Sequence, residues 1–139
     1  MKRLSKRKSL VQVVFAAVAV GVLLAGCGRD GPRRYRIEGE VIYSGQPVKA
    51  GRVIFEPDTD AGNSGPAAYA DIRSGRYETL DGMGCIGGPH VVRVICLTGV
   101  AEGNELAEGR MLCPEYRETI DVPTKNSEHD IHISGEHVW

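Results

Sequence analysis

Residues 35–55 read YRIEGEVIYSGQPVKAGRVIF, and the fold is decided in this stretch. From Tyr35 to Tyr43 the odd positions (Tyr35, Ile37, Gly39, Val41, Tyr43) are apolar or glycine, and the even ones are mostly charged. An extended chain sends successive side chains to opposite faces, so a period of two marks a strand with one buried face. Ser44-Gly45-Gln46-Pro47-Val48 carries turn chemistry. Glycine tolerates backbone angles closed to other residues, and proline fixes its own φ and restrains the residue before it. Alternation resumes at Arg52-Val53-Ile54-Phe55-Glu56, with Val53 and Phe55 on one face.

The same grammar continues toward the C-terminus. Asp58 to Pro66 is a polar, glycine-rich loop. Ala67 to Ile72 and Arg76 to Leu80 flank Arg73-Ser74-Gly75, a short hairpin connection. His90 to Leu97, after Pro89, is dense in Val and Ile on both faces and predicts a central strand with little exposure. Thr98 to Pro114 is the longest irregular stretch, with one helical turn possible over Asn104 to Arg110. Tyr116 to Val122 alternates again, and Ile131 and Ile133 supply the inward face of a last strand. Seven short strands without an amphipathic helix predict an all-β fold, a seven-stranded antiparallel β-sandwich over residues 35–134, with 135–139 as a tail.

Three stretches carry a family resemblance. Glu38 to Phe55 resembles the opening hairpin of carboxypeptidase regulatory-like domains, Ser74-Gly75-Arg76-Tyr77 resembles their glycine-aromatic turn, and Gly87 to Val94 resembles the strand that follows. The matches come in the family's order and fade after Leu97. The resemblance implies a transthyretin-like sandwich and no catalysis by the domain itself. These residues explain a fold and name no ligand.

Upstream, Lys2, Arg3, Lys6, Arg7 and Lys8 precede an apolar run from Leu10 to Ala25, interrupted by Gln12. The run is shorter than the roughly 20 residues of a membrane-spanning helix, and its basic flank fits a secretory leader. Leu24-Ala25-Gly26-Cys27 then resembles the lipobox of bacterial lipoproteins. That resemblance implies cleavage between Gly26 and Cys27, loss of residues 1–26, and covalent diacylglyceryl and N-acyl lipid (palmitate-type chains) on Cys27. It also implies a membrane-anchored envelope protein. Gly28, rather than aspartate, follows Cys27, which favours transfer to the outer membrane, facing the periplasm. Residues 27–34 are then the lipidated N-terminus and a short linker.

The leader holds five of the 17 basic residues and none of the 18 acidic ones, so the mature chain is acidic. An acidic chain lacks the basic footprint that nucleic acid requires. Arg29, Arg33, Arg34 and Arg36 cluster beside Cys27, either as a solvated linker or against anionic head groups.

Candidate chemistry is sparse. His129 and His132 are three apart, which puts them on opposite faces of a strand, and no sequence motif gathers metal ligands. No nucleophile elbow or phosphate loop occurs, so no catalytic residue, metal or other cofactor is expected. Glu56, Asp58, Asp60 and Asp71 crowd one region and suggest a solvated acidic loop or a weak cation site. Cys85, Cys96 and Cys113 permit three single pairings in an oxidising envelope, and Cys85 with Cys113, both in loops, is the first to test. The expected role is a non-enzymatic module tethered to the membrane that meets an envelope protein or cell-wall partner. The alternative is a carbohydrate- or cell-wall-binding module. That reading needs exposed coplanar aromatics, whereas alternation turns Tyr35, Tyr43 and Phe55 inward and leaves Trp139 alone at the terminus.

Overall fold

The computed structural model describes residues 31–135, and within them the chain is all-β, with no helix. Gly26 and Cys27, the leader and the terminal Trp139 lie outside the described residues. Compact packing begins at Pro32.

Seven strands follow one antiparallel path. β1 (Ile37–Tyr43), β2 (Gln46–Pro47), β3 (Ala50–Pro57), β4 (Ala68–Arg73), β5 (Arg76–Glu78), β6 (Gly88–Leu97) and β7 (Tyr116–Val122) are ordered β2-β1-β5-β4-β3-β6-β7. Two short strands, β8 (Ser127–Glu128) and β9 (Ile131–Ile133), pair parallel with β1. They keep one register along it, Ile37 with Ser127 and Val41 with Ile131, interrupted at His129 and Asp130. Across that interruption the Glu40 amide donates to Asp130 Oδ1 at 2.8 Å and the His129 amide to the Glu38 carbonyl at 2.8 Å. All seven strands expected from alternation are present. The two-residue β2 and β8 are additional, because such short pieces carry no periodic signal.

The sheet curls, and its concave face is the core. Ile37 and Val41 of β1, Val53 and Phe55 of β3, Ile72 of β4, Val92 and Val94 of β6, and Ile131 of β9 are almost fully buried together. Phe55 packs against Tyr77 with ring centroids 5.9 Å apart, tilted by 39°. Phe55 is fully buried at the middle of this face. Phe55→Ala should therefore cost about 3–5 kcal/mol, read as a lower urea midpoint with an unchanged slope. A loss under about 1 kcal/mol would mean that the curled face is not the core.

β6 is the central strand with little exposure that its sequence predicts, with a difference between its two faces. It is central, flanked by β3 and β7, but only its inward residues are buried, and Val91, Arg93, Ile95 and Leu97 on the other face are half-buried. The curl covers one face of β6, and among the described residues the other is only half-buried.

The stretch expected to be a linker is partly docked. Arg34 Nε donates to the Gly84 carbonyl at 2.7 Å and Arg34 Nη2 to the Ala67 carbonyl at 2.7 Å. Tyr35 exchanges two backbone hydrogen bonds with Cys85, at 2.7 and 2.9 Å. The body thus starts at the last residues of the arginine cluster.

Candidate functional site

The curl brings its two ends face to face. Among the described residues, β7 ends the antiparallel path and pairs on one side only, with β6. Its even-numbered residues point into the curl. Glu118, one of these, reaches across to His129, between β8 and β9, with Oε1 2.8 Å from Nε2. Tyr116 Oη donates to Glu118 Oε2 at 3.3 Å, and Tyr77 Oη donates to the His129 carbonyl at 2.6 Å. Burial, with Cys85 and the carboxylates of Asp130, Glu118 and Glu128 around it, holds the Tyr77 phenol far above its ordinary range. Tyr77 is therefore a hydrogen-bond donor at this seam and not an acid.

Beside this polar seam lies a cleft of about 260 Å³ between the start of β7 and the end of β9, lined by Tyr43, Cys113, Tyr116 and Ile133 among others. A more open groove of about 820 Å³ runs between Pro47 and Lys49 on one side and Thr98, Glu108 and Leu112 on the other. The segment bordering it exposes Val100, Leu106, Met111 and Leu112. It makes turns rather than the helical turn that its composition allowed: Thr98 and Gly99 bond back to Arg110 and Glu108, each at 2.9 Å.

Each of the three histidines among the described residues has a separate place. His129 is paired with Glu118, His132 is exposed between two buried isoleucines, and His90 is fully buried on β6. Nδ1 of His90 lies 2.8 Å from the Gly88 carbonyl, and its Nε2 has no partner. Among the described residues no three His, Cys, Asp or Glu side chains gather to hold a metal ion.

Three of the four crowded carboxylates, all but Asp60, are used separately. Glu56 binds Arg93 at 2.8 Å, and Asp71 binds Arg52 at 2.8 Å. Asp58 accepts the amides of Asp60 and Ala61 at 3.1 and 3.2 Å, which is turn geometry. Asn63 then ties this loop to β6 by donating to the Gly87 and Pro89 carbonyls, at 3.1 and 2.7 Å.

On the outer face, Arg93 of β6 sits directly opposite Arg117 of β7. Glu115 separates the two like charges, taking Arg93 through both Nε and Nη2 (3.2 and 3.0 Å) and Arg117 Nε at 2.8 Å. The hydrogen bonds from Arg93 and then Arg117 hold the Glu115 carboxyl below its usual value of 4.5. A carboxylate stabilised in this way contributes fully above pH 4.5 and loses its contribution as pH falls through its own lower value. Wild type and Glu115→Gln should therefore differ in thermal midpoint above pH 4.5 and converge in stronger acid. A gap that persists unchanged in strong acid would remove this network as the cause.

The three cysteines in the described residues are free thiols, all buried. Cys85 pairs with Tyr35 through its backbone, whereas Cys113 shares the cleft with Tyr43. Tyr35 and Tyr43 are the two ends of an extended run spanning roughly 25 Å. Cys85 and Cys113 are thus at opposite ends of β1, and Cys113 follows Leu112, whose amide bonds the Cys96 carbonyl at 2.8 Å. Sequence reasoning missed the Glu118–His129 pair and the approach of Cys113 to Cys96, since His129 lies between two short strands and Cys113 in a bend, where alternation carries no signal.

Compared with known proteins, the chain matches no family model and no curated relative.

Proposed function

We propose that this chain is a bacterial lipoprotein whose β domain is a non-enzymatic interaction module of the cell envelope. Residues 1–26 direct export and are removed, and Cys27 receives diacylglyceryl and N-acyl lipid. The domain of residues 35–134 is held at the membrane, in the outer membrane facing the periplasm. The observation that carries this reading is the order of parts: a basic stretch, a short apolar run, Leu24-Ala25-Gly26-Cys27, and then a compact β body from Pro32. Only four residues separate Cys27 from Pro32, which an extended chain crosses in under about 20 Å.

The body is read as a carboxypeptidase regulatory-like, transthyretin-like sandwich. In support, the three motif stretches fall on β1–β3, on the β4–β5 turn and on β6. The curl also sets β1, β5 and β9 across the core from β3 and β6, with Phe55 and Tyr77 in contact between them.

Partner binding is assigned to β7, whose edge away from β6 carries no strand among the described residues and accepts an added strand from an envelope protein. Cross-linking from Arg117, Thr119 and Asp121 in intact cells should capture one recurrent envelope protein. Tight binding of residues 28–139 to cell-wall glycans, with no protein cross-link, would transfer the role to the carbohydrate-binding alternative.

A further inference from the structure

Three observations converge at the end of β6. Leu97 bridges to Met111, and the Leu112 amide donates to the Cys96 carbonyl at 2.8 Å, so the chain returning from the 98–112 segment runs against Cys96. The chain then bends at Leu112 to Pro114 and turns Cys113 into the core, where Cys96 is fully buried and Cys113 is 8% exposed. Cys113 also lines the cleft between β7 and β9, which gives it a route to solvent that Cys96 lacks.

We propose that Cys96 and Cys113 form a disulfide in the exported protein, that Cys113 is the entry thiol, and that Cys85 stays reduced. The proposal rests on the exported, envelope location proposed above for its oxidising surroundings. The Leu112 amide on the Cys96 carbonyl and the inward turn of Cys113 bring the two cysteines side by side in the core. Burial, with Cys113 beside it, pushes the Cys96 thiol up to about 12, so it is a poor first nucleophile. Cys85 is likewise pushed up to about 12 by burial, and it sits at the far end of β1 with no cysteine beside it among the described residues.

The oxidant is a disulfide of the exporting compartment, on a protein carrier or a small thiol. The Cys113 thiolate attacks one sulfur of that disulfide through the cleft, and the other sulfur leaves as a thiolate. Cys96 then loses its proton and attacks the Cys113 sulfur of the mixed disulfide, expelling the second thiolate. Two S–H bonds are lost and one S–S bond forms in the chain. The carrier takes up the two electrons and the two protons. The product closes the 97–112 loop and fastens the end of β6 to the start of β7, the wall of the cleft.

The test uses the full chain expressed with its leader in a bacterial host. Free thiols are trapped with an alkylating reagent before extraction in detergent, and peptides are mapped without reduction. The expected result is a Cys96–Cys113 cross-linked peptide with Cys85 alkylated. The same protein, reduced and then exposed to oxidised glutathione, should regain that linkage. Cys85→Ala should keep it, and Cys113→Ala should lose it. All three thiols alkylated from cells, with the Cys96–Cys113 linkage formed in glutathione disulfide, would support the pairing and count against the exported location. A bridge to Cys85, or no linkage between Cys96 and Cys113 in glutathione disulfide, overturns the proposal.

Discussion

Gly51→Ala is expected to abolish cooperative folding. Gly51 lies on β3, hydrogen-bonded on one side to β4 and on the other to β6, opposite Ile72 and Cys96. Its φ is +145°, an angle that side chains disfavour, and a Cβ there would collide with the Ile95 carbonyl oxygen and stand 3.1 Å from its carbon. Those are backbone atoms of the neighbouring strand, so relief requires β3 and β6 to separate. The pairing between them runs from Ala50–Leu97 to Pro57–His90 and carries Val53, Phe55, Val92 and Val94 into the core. A penalty of about 4 kcal/mol or more is expected, most of a small domain's margin. The control is Gly45→Ala. Gly45 has φ +79° in the β1–β2 turn, with nothing within 4 Å of a Cβ, so only backbone strain of about 1–2 kcal/mol is expected. Circular dichroism and urea titration of the two variants should separate an unfolded chain from a folded, slightly weakened one. Equal and small losses would show that β3 and β6 do not approach as described.

Cys27→Ala is expected to move the protein from the membrane fraction to the soluble one while leaving the β body folded. Each buried methylene of an acyl chain contributes about 0.8 kcal/mol, so two or three chains hold a protein on a bilayer for long periods, whereas one holds it marginally. Among the residues the leader would leave behind, only the arginines near Cys27 offer the bilayer attraction, at about 1 kcal/mol each, and salt screens it. Arg34 and Arg36 are moreover engaged by the body, Arg36 through Glu78 at 2.8 Å. A high-salt wash should therefore leave the wild type sedimenting and release the variant. A variant that still sediments, with its leader attached, would mean that the apolar run itself is the anchor.

Much of the fold was legible because the inner and outer faces of a strand differ by one residue. The pattern Ile37, Gly39, Val41 and the pair Val53, Phe55 read correctly as buried. The difference between the two faces of β6 was not legible, for a physical reason. Val91, Ile95 and Leu97 look the same in sequence whether a second layer covers them or only the half-buried Arg93 network beside them. The parallel pairing of β8 and β9 with β1 had no local sign, since non-local strands choose partners by global topology. The seam was illegible for the same reason. Glu118 reads as one polar position on a strand, and only the curl of the sheet carries it to His129. Cys113 reads as a loop residue, and the bend that turns it toward Cys96 leaves no trace in alternation.

The proposed anchoring of this β body by lipid on one sulfur is tested most directly by intact-mass measurement of the protein extracted from membranes. The account predicts a chain that begins at Cys27 and carries the mass of a diacylglyceryl group and an amide-linked acyl chain. A chain that still carries residues 1–26, or one that begins elsewhere with an unmodified thiol at Cys27, would contradict it.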